Sequence, residues 1–335
     1  MSDGPEVPSP ADVLDAAAFL EGKILRTPLL SIPELDRLLG REILLKPENL
    51  QHIGAFKARG ALFAASRLGP AAAARGLATY SSGNHGQAVA LAAKRAGTTA
   101  LVVMPEDAPT LKIDAVRALG ADVVFEGKTT TARRKKAEEL AAERGLTVIA
   151  PFDDANVIAG QGTATLELIR DAEARGTPVD AIVVPVGGGG LLAGACLAAR
   201  ADGSRAVPRI IAAEPDTANA FQKSVIAGRR VTIAPSSSIA DGLRPVEVGE
   251  LNFEVSARVV SHCIAVTDEA IGLAVVRLLA FAKLLVEPSG ACSLAACFAS
   301  DFPTDTKRVG VVLSGGNVSL ELVTRLIEQH RAHVR

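Results

Sequence analysis

The 335-residue chain is expected to form an α/β fold of two domains, each a twisted, largely parallel sheet flanked by helices. Two observations carry this expectation. From residue 76 onward, short apolar runs of strand length alternate with runs of helix length, the βαβ pattern of a parallel sheet. Several apolar runs also end in polar, glycine-rich turns, and in such sheets ligands bind outside the carboxyl ends of the strands. Length and composition agree. With 48% hydrophobic and 22% charged residues, a chain of this size buries roughly 75% of its unfolded surface and divides readily in two.

The opening MSDGPEVPSP is acidic, proline-rich and expected to be disordered. Residues 11–20 and 33–40 predict helices, 41–46 (REILLK) a strand, and 54–68 a helix broken at Gly69-Pro70. A regular series follows, with strands at 77–80, 99–104, 122–125 and 146–149 and helices at 84–95, 109–119 and 130–144. The punctuation at Gly69-Pro70 and Ala150-Pro151 bounds this series as a smaller domain, 70–150, set into a larger one made of 1–69 and 151–335. The larger part continues with a helix at 157–175, a strand at 181–186, a glycine run, a helix at 191–201, a strand at 209–213 and a helix at 217–227. Residues 228–256, rich in Ser, Pro and Gly, are longer than most connections and read as a functional loop. A strand at 259–266, helices at 268–282 and 289–300, a strand at 308–313 and a helix at 318–330 complete the chain.

Composition excludes several classes. A formal net charge of −1 provides no field to gather nucleic acid or to hold the chain on an anionic membrane. The basic run Arg133 to Lys136 is followed one turn later by Glu138 and Glu139, so it reads as a solvated helix face with Arg134–Glu138 and Lys135–Glu139 pairs. Four cysteines without CxxC spacing suggest reduced, buried thiols of a cytosolic protein and no metal site. There is no run of 18 apolar residues and no apolar signal core, so neither export nor anchoring is expected.

The chemistry is expected around KPENLQHIGAFKARG, residues 46–60, where Lys57 follows Ile53, Ala55 and Phe56. At its ordinary pKa about one lysine in 2,500 is neutral at pH 7, whereas a fall of ~3 units would make roughly a quarter of it nucleophilic. Such an amine can condense with an aldehyde. A lone helix lysine reaching to water would look the same, so other stretches must decide. Gly187, Gly188, Gly189 and Gly190 lie between an apolar strand and an apolar helix, where their amides can wrap a phosphate with no Cβ in the way. A helix terminus contributes only ~0.3–2 kcal/mol, against about 8 for micromolar binding, so the ligand needs further anchors. A dinucleotide site is the rival reading, since Gly188, Gly190 and Ala193 fit G-x-G-x-x-A and Glu214 ends the next strand. That reading leaves Lys57 without a task. SSGNHGQ, from Ser81 to Gln87, offers hydroxyls, an amide and N–H groups to an anion such as a carboxylate, although Ser82 or Asn84 could simply cap the helix. Ser314-Gly315-Gly316-Asn317 is a third such turn, and Glu287-Pro288-Ser289-Gly290 a possible fourth wall unless Ser289 is only an N-cap.

Lys57, SSGNHGQ, VGGGG and LSGGN, in this order, resemble the pyridoxal-phosphate enzymes of the tryptophan-synthase-β fold (fold type II), most closely the threonine/serine dehydratase and serine racemase group. The resemblance covers nearly the whole chain. It implies pyridoxal 5'-phosphate as cofactor, with Lys57 holding its aldehyde, Asn84 its 3-hydroxyl, Gly187 to Gly190 and Leu191 its phosphate, Ser314 its ring nitrogen, and Phe56 packed beside it. Ser81, Ser82, Asn84 and His85 would receive a small amino-acid substrate, Ser82 being the opposite-face proton carrier in racemases. A neutral hydroxyl at the ring nitrogen makes the ring a weaker electron sink, which favours α,β-elimination from a β-hydroxy amino acid. A racemase shares every one of these residues, and a cofactor-binding protein without catalysis is a lesser alternative. The segment 238–253 resembles dehydratases acting on threonine, serine or 3-hydroxyaspartate-like substrates, including the hydroxyectoine-utilisation type. Arg133 or Arg134 and Arg244 are candidates for a second substrate carboxylate. The group's cation site is matched by Glu214 and Ala218 but not by Ala220, so metal activation is not expected. The same resemblance implies a homodimer, and allosteric control by isoleucine through a C-terminal regulatory domain is not expected.

Overall fold

The computed structural model describes residues 7–334, apart from 82, 109, 128, 202 and 204–206. In chain order its strands are β1 (Leu30–Ser31), β2 (Glu42–Pro47), β3 (Leu77–Tyr80), β4 (Ala100–Met104), β5 (Asp122–Phe125), β6 (Thr147–Val148), β7 (Ala181–Pro185), β8 (Arg209–Pro215), β9 (His262–Val266) and β10 (Arg308–Leu313). The helices are α1 (Pro10–Leu20), α2 (Pro33–Leu39), α3 (Lys57–Ser66), α4 (Pro70–Arg75), α5 (Asn84–Ala96), α6 (Thr110–Ala118), α7 (Thr130–Arg144), α8 (Ala155–Ala174), α9 (Gly190–Ala198), α10 (Ala220–Ala227), α11 (Glu250–Ser256), α12 (Asp268–Arg277), α13 (Pro288–Ala296) and α14 (Leu320–His330).

Two sheets result. One has six strands in the order β1-β2-β10-β7-β8-β9, parallel throughout except for the antiparallel β1–β2 pair. The other, β5-β4-β3-β6, is wholly parallel. Their central strands β3, β4, β7 and β10 are apolar runs buried along almost their whole length, as strands covered on both faces must be. Chain reversal is therefore left to the carboxyl-end turns. Ser81 follows β3, Gly187 follows β7 by two residues, and Ser314 follows β10, so the polar turns occupy the strand ends on which they were expected.

Some boundaries differ from the sequence reading. The first helix begins at Pro10 because the Asp12 carboxylate accepts from the Ser9 N–H at 2.7 Å, which orders part of the stretch expected to be disordered. Gly69-Pro70 does not simply break the chain; Pro70 is the first residue of α4, where its missing N–H costs nothing. The helix expected over 268–282 is α-helical only to Arg277 and widens into a π-helical turn, Leu278–Ala282, closed by Lys283 at φ +59°. Among the described residues no helix is long and apolar enough to cross a membrane, and the four cysteines are unpaired.

Helix α8 runs through the middle of the fold against α1, α3 and α9. Glycines make these approaches possible: a Cβ on Gly160 would lie 2.6 Å from the Cα of Gly60 in α3, and one on Gly162 would lie 2.7 Å from the Gly194 carbonyl oxygen in α9. A buried charge network adds direction. Arg59 in α3 is fully buried and bonds Glu48 through Nε (2.7 Å) and Nη2 (2.8 Å), and Glu167 of α8 through Nη1 (2.8 Å) and Nη2 (2.9 Å), while Lys46 donates to Glu167 at 2.6 Å. Gly160→Ala should destabilise the protein by about 1–3 kcal/mol, because backbone rather than a pliant side chain must yield. Urea unfolding of the two proteins checks this, with an unchanged midpoint as the contrary result.

Candidate active site

Lys57 is the first residue of α3, preceded by Phe56, whose N–H donates to the Ser314 carbonyl at 3.1 Å. Its side chain runs beside the Phe56 ring, with Nζ 5.1 Å from the ring centroid, and Nζ donates to the Pro151 carbonyl at 2.6 Å. Burial pushes the amine down to about 8. Desolvation alone thus makes about a tenth of the amine neutral at pH 7, short of the quarter sought from the sequence but on the order of a hundredfold above that of an ordinary lysine.

Pro151 belongs to a segment that ties the site together. His85, in the first turn of α5, meets the Ile149 carbonyl through Nε2 at 3.1 Å, and since a carbonyl only accepts, Nε2 carries the proton. Burial, and then the charge of Lys57, push His85 down to about 3, so Nδ1 is a bare acceptor with no partner among the described residues. The imidazole has no N–H left for a carboxylate, and the main-chain N–H in the first helical turn is the donor this residue retains. Ser81 leads into the same helix, its Oγ accepting from the Gly83 N–H at 3.2 Å. Ser82, read as a catalytic proton carrier, lies outside the described residues.

Further along this segment, the Phe152 ring lies directly against Gly188, where any Cβ would collide with it. The Gly188 carbonyl accepts from the Gly249 N–H at 3.0 Å and from Asn252 Nδ2 at 2.8 Å, and Gly189 is left-handed at φ +98°. Gly187, too, is packed on its outer side, since a Cβ there would lie 2.8 Å from the Gly242 carbonyl oxygen. The loop from Gly187 to Gly190 is held from behind, while the start of α9 at Gly190 and Leu191 leaves the unpaired amides of any helix terminus for a phosphate. Leu191 itself packs into the core. Ser314 is buried at the end of β10, beside the Ala55–Gly315 bridge that joins its turn to the lysine segment.

Asn84 does not cap its helix; Gly83 occupies that position, and the amide side chain is used elsewhere. Its Nδ2 donates to Glu287 Oε1 at 2.7 Å and its Oδ1 accepts from Asn317 Nδ2 at 2.8 Å. Ser289 is likewise no cap. It is the second residue of α13, and its Oγ accepts from the Gly242 N–H at 2.9 Å. Burial, then the neighbouring Asp241 charge, raise Glu287 to about 8. The sequence reading marks Pro151 only as a domain boundary and places Glu287 and Asn317 in the EPSG and SGGN turns without a role of their own. Outside this cluster, Glu214 is spent on the N–H groups of Phe221 (2.9 Å) and Gln222 (2.8 Å), which removes the acid a dinucleotide ribose would need. No group of three or more metal-ligating side chains occurs among the described residues, and Ala220 offers no carboxylate beside Glu214.

The basic run also needs correction. Arg134–Glu138 (2.7 Å) and Lys135–Glu139 (3.9 Å) form on an exposed face as expected, but Arg133 is only 7% exposed. Its Nη2 donates to Thr130 Oγ1 at 3.2 Å, and its Nε and Nη1 have no partner among the described residues. Arg244 is folded onto its own loop, donating to the Ser238 carbonyl at 2.7 Å.

A partly buried lysine on a helix start, a glycine loop leading into a helix, and polar turns meeting at the carboxyl ends of parallel strands are the features of an enzyme of pyridoxal-phosphate fold type II. The chain belongs to the pyridoxal-phosphate dependent enzyme family, whose pattern it matches over residues 20–315. It is 38% identical over 321 residues to an L-threo-3-hydroxyaspartate ammonia-lyase of Saccharomyces cerevisiae, covering 96% of this chain and 97% of that one. The maize serine racemase structure superposes with a TM-score of 0.90 at 34% identity, over 98% of this chain and 99% of that one. The processed form of threonine deaminase isoform 2 from Solanum lycopersicum gives 0.87 at 31% identity, over 98% and 96%. The protein is therefore pyridoxal-phosphate dependent, and the buried amine and glycine loop fit that cofactor. Lys57→Ala should abolish its covalent retention, seen as loss of the visible band after desalting. In the wild-type apoprotein, the rate of capture of pyridoxal phosphate should rise with pH with its midpoint near 8 and level off above it; a midpoint near the ordinary lysine value would contradict the burial effect.

Proposed function

We propose that the protein eliminates water from a β-hydroxy amino acid to give a 2-oxo acid and ammonia, with 3-hydroxyaspartate as the preferred substrate class over serine and threonine. The observation that carries the reaction class is Lys57, a buried amine drawn toward its neutral form and bonded to a carbonyl rather than a carboxylate. Pyridoxal phosphate, when bound, supplies the electron sink that acidifies the substrate Cα–H bond. The neutral Lys57 Nζ would take that α-proton and return it to the departing β-hydroxyl, which would leave as water, and a water adding back at Cα would free ammonia. The first turn of α5, with Ser81 at its mouth, supplies N–H donors to hold the α-carboxylate still.

Arg133 supports the dicarboxylic substrate. It stands in the first turn of α7, which begins a few residues beyond the carboxyl end of β5, on the sheet edge from which Ser81 also departs. Burial lowers its pKa, partly offset by the Asp107 charge in the turn after β4, and two of its donor nitrogens find no partner among the described residues. A buried guanidinium in that condition is stabilised by a carboxylate from a ligand. A second reading, serine racemisation, is supported by the likeness to serine racemases, among them that of Schizosaccharomyces pombe at 37% identity.

Cofactor-loaded protein offered threo and erythro 3-hydroxyaspartates, serine and threonine should release oxaloacetate and ammonia in equal amounts from a 3-hydroxyaspartate. Inverted serine without oxo acid would replace the elimination reading by racemisation. Arg133→Met should lower kcat/KM for 3-hydroxyaspartate on the order of 100-fold, the usual effect of removing one partner of a desolvated charge pair, and leave serine turnover nearly unchanged. Equal losses on both substrates would remove Arg133 from substrate selection.

A further inference from the structure

Ile53 adopts φ 59° and ψ 13°, a left-handed conformation that a β-branched residue tolerates only where its surroundings hold it there. The partner of its carbonyl is Asn317, whose Nδ2 donates at 2.8 Å. The next residue, Gly54, is also left-handed at φ +67°, and its carbonyl accepts from the Gly316 N–H at 2.9 Å. The turn before Lys57 is thus bound to the SGGN turn at two successive carbonyls.

These bonds have a direction. Because a carbonyl oxygen only accepts, the Asn317 atom facing Ile53 must be the amide nitrogen. The same nitrogen's second hydrogen then faces Asn84, which must present Oδ1 to it, as it does at 2.8 Å. The Asn84 Nδ2 is thereby turned to Glu287, which takes one of its two hydrogens, and the other has no partner among the described residues. Glu287 cannot impose this orientation by itself. A buried carboxyl raised to about 8 is largely protonated at neutral pH and can offer Asn84 either an acceptor oxygen or an O–H. Asn317 has no such freedom.

We propose that Asn317 is a positioning residue that fixes the Asn84 amide in one orientation and so presents a hydrogen-bond donor, not an acceptor, to the cofactor's 3-oxygen. This rests on the reading that Asn84 faces that oxygen. A donor there favours the deprotonated 3-oxygen, for which the bound cofactor absorbs in the visible; an acceptor favours the 3-hydroxyl form, which absorbs in the near ultraviolet. Released from Asn317, the Asn84 amide can flip and turn Oδ1 toward the cofactor.

The test is the absorption spectrum of loaded Asn317→Asp, which keeps the shape and loses the donor, with Asn317→Ala as the variant free of repulsion at the Ile53 carbonyl. Both should lose at least half of the visible band to the near-ultraviolet band at unchanged cofactor content. In an Asn84→Ala background, Asn317→Ala should add no further spectral shift, whereas a merely structural role would add one. If Asn84→Ala shifts the spectrum but both Asn317 variants look wild-type, the proposal is overturned and the reading of Asn84 stands. If Asn84→Ala itself looks wild-type, Asn84 does not face the 3-oxygen and the proposal falls with that reading.

Discussion

The depth at which Lys57 sits depends on how α3 is fastened to α8. Two residues beyond the lysine, Arg59 is fully buried and forms four bonds to Glu48 and Glu167. With Lys46 as a second cation, the four ionised groups balance in charge, which is the condition under which burying them is tolerable. A buried network of this kind is weak evidence for stability, because apolar packing of equal volume would often do as well. Its value here is geometric. Bidentate bonds from Arg59 to carboxylates on two different elements fix both the axial rotation and the height of α3, and van der Waals contacts between glycines leave no slack for it to lift. Since α9 lies against the same helix through Gly162 and Gly194, the reacting amine and the glycine loop share one rigid reference.

From that frame the site is assembled largely by main-chain carbonyls. Ile149 receives His85, Pro151 receives Lys57, Phe152 receives Asn252, and Ile53 receives Asn317. Carbonyls make good templates, for they accept and never donate, and so each one settles which atom of its partner carries a hydrogen. The short segment after β6 consequently does more than connect. It places the amine and a neutral imidazole on one side and backs the glycine loop with a phenyl ring on the other.

How much of this is legible in the sequence follows from what is local. Alternation of strands and helices, the three glycine turns and the lysine proposed to react are readable, because period, turn chemistry and residue type are properties of a few neighbours. Arg133 reads wrongly as surface because its run pairs correctly with Glu138 and Glu139. Charge spacing shows that a helix has a solvated face, but not which residue of the first turn leaves it. Asn84 and Ser289 are open to reading as caps since each stands near a helix start, yet their partners Glu287 and Gly242 are 203 and 47 residues away. Ala150-Pro151 reads as a boundary mark for the sound reason that proline interrupts structure, and its carbonyl, which no sequence pattern reveals, is the part that matters.

The ionisable groups of the site share one tendency. Desolvation lowers Lys57 to about 8 and His85 to about 3, and raises Glu287 to about 8, each in the direction of its neutral form. Of these three groups the imidazole and the Glu287 carboxyl are mostly neutral at pH 7, whereas a lysine at about 8 is still mostly cationic there. The amino termini of α5 and α9, and the Arg133 guanidinium with two nitrogens unpartnered among the described residues, are features that favour anions. In the proposed reaction fixed dipoles carry part of the electrostatics, and Lys57 can exchange a proton near neutral pH because its Nζ bonds a carbonyl and not a carboxylate.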